Sequence, residues 1–263
     1  MSNAITNRQS RGRLVVLLMA LAAALAAAEY RYGRFTGYHV PGAPLARSPS
    51  LLLDVKQALG LQKFYSQLGQ DKWILGKVFP GVRDGYFVEI GAWDAEQDSN
   101  SKALEERGWT GVCVEPFPQN WMNRTCRLFQ EAVYSRKGKT VRFHMGGQLG
   151  GIDETLGAYK PLISRTPFVE LQTTTIADVL QRAAAPRFIH YLSIDTEGSE
   201  FEILSALPFD QYQVGAFTIE HNFEEPKRSR IAELLLRHGY RLDRTQLVDD
   251  WFVLEAAARR SSP

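Results

Sequence analysis

Short apolar runs alternate with helix-like stretches along most of the chain. Tyr86-Phe87-Val88-Glu89-Ile90 is compact and mostly apolar, as a strand covered on both faces should be. Asp98 stands where it would cap a helix over 99–107, with Gly108 just past its end. Gly111-Val112-Cys113-Val114-Glu115 predicts a second strand, and Pro118 suits the first position of another helix. Positions 132–134 and 140–143 read as further strands. Thr175 and Asp178 have capping-box spacing and open a helix to about Ala185. Then follow a strand over 188–194, a helix over 198–204, a strand over 217–220 and a helix over 226–238 that exits at Gly239. Runs at 240–242 and 251–254 close the pattern as a strand pair. Strands alternating with helices predict an α/β domain with a mostly parallel sheet and an antiparallel C-terminal edge.

The N-terminus follows another pattern. Arg8, Arg11 and Arg13 precede an unbroken apolar run from Leu14 to Ala28, which Glu29 ends. Fifteen residues are short for a span of roughly 20. Ala26-Ala27-Ala28 fits a signal-peptide cleavage region, whereas Tyr30, Tyr32 and Phe35 suit interfacial anchors that extend the segment. The expected organisation is a basic tail (1–13), a hydrophobic helix serving as membrane anchor or signal (14–35), and a Gly/Pro/Ser-rich linker with a short helix (36–63). A folded domain (64–256) and a tail (257–263) follow. Basic residues before the segment place the domain outside the cytoplasm, although Arg31 and Arg34 beyond it weaken that reading.

Composition changes this picture little. Of 263 residues, 44% are hydrophobic and 23% charged, as in ordinary globular proteins. A net charge of +2, with the basic residues scattered, argues against a nucleic-acid partner. Cys113 and Cys126 give no disulfide framework and no paired metal spacing. His39, His144, His190 and His238 lack ligand spacing, and no metal ligand is assigned.

The chemistry-bearing residues fall at strand ends, where open α/β sheets bind ligands. The first strand continues as Glu89-Ile90-Gly91-Ala92-Trp93-Asp94, and the second ends in Glu115. A glycine there lets backbone approach a ligand, and an acid ending the second strand can accept ribose hydroxyls. Carboxylates around the first turn suit a cationic amino-acid or sulfonium group better than a pyrophosphate. The full G-x-G-x-x-G fingerprint of a dinucleotide site is absent. Asp195-Thr196-Glu197-Gly198 follows an apolar strand, and alternation puts Asp195 and Glu197 on one side if that strand persists. Such a pair can orient a substrate, take a proton or hold a divalent cation. His221, in Glu220-His221-Asn222, is a candidate general base or a hydrogen-bonded structural histidine.

These motifs, in this order, resemble the FkbM family of S-adenosylmethionine-dependent methyltransferases. The resemblance runs from about Ser66 to Leu254. It rests on Ser66-Gln67-Leu68-Gly69-Gln70-Asp71 with Trp73-Ile74-Leu75, Gly85-Tyr86-Phe87-Val88-Glu89-Ile90-Gly91-Ala92, Ser99-Asn100, and Gly108-Trp109 with Gly111-Val112-Cys113-Val114-Glu115-Pro116. Tyr191-Leu192-Ser193-Ile194-Asp195-Thr196-Glu197-Gly198-Ser199-Glu200, Ile219-Glu220-His221-Asn222 and Asp249-Asp250-Trp251-Phe252-Val253 complete it.

The resemblance implies a Rossmann-like seven-stranded sheet, S-adenosylmethionine as methyl donor, and O-methylation of a sugar or other small hydroxyl-bearing metabolite. By position, Glu89, Gly91 and Asp94 would line the methionine end and Glu115 would take the ribose. Asp195 and Glu197 would face the transfer site, while Ser66 and Gln67 would close the pocket. The chain departs from the family at Ala95-Glu96, where glycine is usual, and a side chain there could crowd the ligand. Two other readings stay open: an inactive membrane-tethered binding or trafficking protein with this fold, and a membrane-anchored glycosyltransferase with Asp195-Thr196-Glu197 as its metal and nucleotide-sugar site. The sequence sets neither the acceptor nor the oligomeric state.

Overall fold

Residues 62–157 and 159–255 are described by the structure, a computed structural model. The basic tail, the apolar segment 14–35, nearly all of the linker with its short helix, and the 257–263 tail lie outside them. Among the described residues, no helix is long and apolar enough to cross a membrane.

Eleven strands are laid out as β1 (Tyr86–Ile90), β2 (Thr110–Val114), β3 (Arg127–Phe129), β4 (Ala132–Val133), β5 (Thr140–His144), β6 (Gly151–Ile152), β7 (Phe168–Thr174), β8 (Phe188–Ile194), β9 (Gln213–Glu220), β10 (Tyr240–Gln246) and β11 (Asp249–Leu254). The helices are α1 (Gln70–Trp73), α2 (Lys102–Glu106), α3 (Lys160–Ile163), α4 (Ile176–Arg182), α5 (Glu200–Ser205) and α6 (Lys227–Arg237). Seven strands form one sheet in the order β10-β11-β9-β8-β1-β2-β3. Its pairs from β9 through β3 are parallel, and β10 and β11 add the expected antiparallel edge.

The central strands read as continuous apolar runs because both their faces are covered. All but the first residue of β8 are buried, and so are all but the first of β1 and of β9. Trp73 stacks at 5.0 Å on Trp251, fastening α1 to the antiparallel edge. Burying each such Val, Ile or Phe is worth about 1.5–3 kcal/mol, so this sheet carries most of the hydrophobic stabilisation.

Four expectations need correction. The helix over 99–107 forms only as α2, since the carboxylate of Glu89 captures the N–H of Asn100 at 2.6 Å and the hydroxyl of Ser101 at 2.5 Å. Held there, Asn100 and Ser101 follow Glu89 instead of the helix axis, and the helix starts at Lys102. No helix starts at Pro118. Positions 115–126 run irregularly, tied to the first loop by Gln119 N–H on Trp93 O and Ala95 N–H on Gln119 O. That return brings Cys126 back to Cys113, with 5.8 Å between Cα atoms, and the two are joined as a disulfide. Thirdly, then, the chain does have a disulfide, closed by a turn that cysteine spacing could not reveal.

Lastly, a second sheet, in the order β4-β7-β5-β6, packs around Tyr134, Val141 and Ile152. Its strand β7 went unforeseen, although Val169 and Leu171 alternate with the exposed Glu170 and Gln172.

Candidate active site

The parallel register sets the site. Val114, Ile90, Ile194 and Ile219 stand level on β2, β1, β8 and β9. The next residues, Glu115, Gly91, Asp195 and Glu220, therefore leave the sheet along one rim. All four, and Glu89, border a cavity of about 330 Å³. The small sheet contributes Ala132, Val133, Phe143 and Ile152 to its walls.

Each acid is held differently. Glu115 is buried, and its two oxygens accept the N–H groups of Phe117 (2.9 Å) and Trp93 (3.1 Å). Burial pushes its carboxyl up, and those N–H groups work against the rise. Glu89 is turned toward the protein: besides Asn100 and Ser101 it accepts from Ser99, and it lies 3.4 Å from the buried Arg124 guanidinium. Its carboxylate shapes the wall more than it serves a ligand. Gly91 has φ +85°, and a Cβ on it would overlap the carbonyl oxygen of Asp195. The glycine is required by the chain's own backbone.

Three sequence-expected residues stand apart from the cavity. Asp94 borders a separate hollow with Ala95 and Glu96. Against the penalty of burial, the N–H groups of Glu96 and Gln97 hold its carboxyl below the usual range. Ser66 gives its hydroxyl to Asp71 at 2.5 Å, while its neighbour Gln67 does reach the cavity. His221 is buried, does not border the cavity, accepts the Phe223 N–H on Nδ1, and has Nε2 3.6 Å from Asp250. Burial lowers its pKa.

Asp195, Glu197 and Glu220 meet, each offering an oxygen within 4.8 Å of the others. Strand β8 ends at Ile194, so alternation does not place Glu197. A left-handed backbone at Glu197 (φ +58°) turns the chain and returns its side chain to the rim. Burial, and then the charges of Glu197, Asp249 and Glu200, push the Asp195 carboxyl well above the usual range. Burial raises Glu220 as well, followed by the Asp195 charge.

Sequence reasoning kept His221 as a rival to Asp195 and passed over Glu220. The signal was available, because Glu220 is the last residue of its apolar run and His221 the first beyond it. Asn100, part of the family resemblance, was given no role and Tyr159 was missed, and both border the cavity. Asn100 gives its Nδ2 to Ser193, and its buried Oδ1 has no donor.

Seven acidic residues border the cavity, and among the described residues no lysine, arginine or histidine does. The chamber therefore favours cationic ligands and offers little to a phosphate. Ala95 and Glu96 do not border it, so the departure from the family pattern leaves the cavity uncrowded.

A family model described as the methyltransferase FkbM domain matches residues 89–242. No curated protein and no solved structure matches the chain.

Proposed function

The chain belongs to the FkbM methyltransferase family, and from that premise we propose that it moves a methyl group from S-adenosylmethionine to a hydroxyl of a sugar or another small metabolite. The acid-lined cavity without a basic side chain carries this reading. A sulfonium and an ammonium are cations, and the chamber meets both with carboxylates and amide oxygens.

The residues present fit that cofactor. Glu115, fixed by two N–H groups, keeps lone pairs for ribose hydroxyls, and the donorless Oδ1 of Asn100 suits an ammonium. Gln67 and Glu89 complete the polar wall. When bound, S-adenosylmethionine supplies a methyl carbon already made electrophilic by the sulfonium. The protein's own task is to align the acceptor hydroxyl with that carbon and receive its proton. Asp195 does both in this proposal, with Glu197 beside it. Tyr159 and Gln148 also border the cavity, and Tyr159 stands within reach of the charges of Glu197, Glu220 and Asp195.

Neither rival reading gains a specific observation. Ala95-Glu96, which favoured an inactive relative, sits in another hollow. A glycosyltransferase would hold a diphosphate through basic side chains or a metal ion; the cavity wall has no basic side chain, and the matched family is one of methyltransferases. Residues 14–35 support a membrane tether, and the Cys113–Cys126 bond is of a kind that persists in oxidising compartments.

The test is Asp195→Asn in the full chain. Turnover, scored as labelled methyl transferred to a panel of sugars, should fall at least about 100-fold. The dissociation constant for S-adenosylmethionine, read by calorimetry, should stay within about threefold. Lost cofactor affinity with unchanged turnover would remove Asp195 from the transfer step.

A further inference from the structure

We propose that Asp195, Glu197 and Glu220 form a binding site for one divalent cation of the magnesium or manganese class, on the β8–β9 side of the cavity. Three observations carry this. The first is geometric: one oxygen from each residue lies within 4.8 Å of the other two. Oxygen ligands ~2.0–2.1 Å from a magnesium-sized cation stand at most about 4.2 Å apart, so the three need draw together by no more than about 0.6 Å to share one.

The second is an unmet need. Glu220 is 8% exposed, and its Oε2 is buried without any hydrogen-bond partner. Glu220 and Asp195 stand within hydrogen-bond reach of each other, so the carboxylate points into the cluster. A buried carboxylate oxygen lacking a donor calls for an occupant that the polypeptide does not provide.

The third is the arrangement of charge. The nearest lysine, Lys227, is engaged by Glu200 at 3.0 Å and by Glu224 at 3.1 Å. Glu200 also accepts the N–H groups of Thr196 and Gly198, so it is satisfied and takes no part. Glu197 has only the amide of Asn222, at 3.3 Å. Among the described residues no basic side chain forms an ion pair with any member of the triad. An all-oxygen anionic donor set selects hard cations over zinc or copper. The other gathering of ligating groups, Glu105 with Cys113 and Cys126, offers no thiolate because the cysteines are bonded to each other.

Three protein oxygens leave coordination positions open toward the cavity. Water or an acceptor hydroxyl fills them, which would fix the hydroxyl and ease loss of its proton. That catalytic use rests on the methyl-transfer reading, whereas the binding site does not.

The experiment uses the full chain, stripped with chelator and titrated with manganese chloride at neutral pH. Free Mn²⁺ is followed by electron paramagnetic resonance. One saturable site per chain is expected, with magnesium competing for it. Glu220→Gln and Asp195→Asn should each weaken uptake at least tenfold, while a parallel S-adenosylmethionine titration on the same preparations stays close to wild type. Asp195 is only half-buried, so its variant serves should Glu220→Gln fail to fold. No saturable uptake by a chain that binds S-adenosylmethionine would overturn the inference, and so would uptake unchanged in both variants. Manganese uptake lost in the variants, in a chain that ignores S-adenosylmethionine, would uphold the cation site and defeat the methyl-donor reading instead.

Discussion

Gly91 and Asp195 are fitted against each other so closely that a methyl group on the glycine would occupy the space of the Asp195 carbonyl oxygen. The first loop and the acidic end of β8 are thus one unit, and the shape of the cavity depends on their contact.

Gly91→Ala should therefore cost about 3 kcal/mol. Part of the cost comes from the left-handed φ of +85° and part from the overlap with backbone that cannot rotate away. Urea unfolding measures the loss. A near-neutral substitution would mean that the two loops are not in contact.

Arg124 is the hub beneath the cavity. Its guanidinium is wholly buried, pairs with Glu105 at 2.7 Å and Glu89 at 3.4 Å, and donates to Ser101 and to the carbonyl of Ala95. Arg124→Met leaves two buried carboxylates without their counter-charge, so a loss of about 3–5 kcal/mol is expected. The check is a lowered urea midpoint with an unchanged slope.

The disulfide closes a short loop, since Cys113 and Cys126 are 13 positions apart. Its reduction, or Cys113→Ala with Cys126→Ala, should lower stability by about 3 kcal/mol through the freed unfolded chain. Peptide mapping without reductant should recover the two cysteines in one linked fragment. Two free thiols in the native chain would contradict the pairing.

His190 gives a pH signature. Its Nδ1 accepts the Tyr86 N–H at 3.1 Å, and the rings of Phe79, Trp109 and Phe188 enclose it at 5.0–5.3 Å. Burial pushes its pKa down to about 4, against the opposing charge of Asp84. The unfolded chain takes up this proton below about 6.5 and the folded chain only near 4. The contribution is thus complete above pH 6.5 and is lost as pH falls toward 4, by about 3 kcal/mol in all. Urea midpoints at pH 7 and pH 5 should differ more for the wild type than for His190→Gln. Equal differences would refute the assignment.

What the sequence made legible follows from local physics. Buried parallel strands have to be apolar along their length, so β1, β2, β8 and β9 stood out, and an acid ending such a run marks the ligand rim. Glycines at 108 and 239 ended helices as read, both with positive φ. What stayed hidden depends on side chains reaching across the fold. Glu89 holds Asn100 ahead of α2, Arg124 ties the loop expected to be helical, and Asp94 spends one oxygen on its own turn and the other on Asn120. His221 drew attention as a familiar base, yet the step from strand to loop sends Glu220 to the cavity and His221 to Asp250.

The most direct measurement is a calorimetric titration of S-adenosylmethionine into the full chain and into Glu115→Ala. The account predicts one saturable site per wild-type chain and at least tenfold weaker binding in the variant, for loss of the ribose acceptor. No binding to a folded wild-type chain, or equal affinity in both, would contradict it.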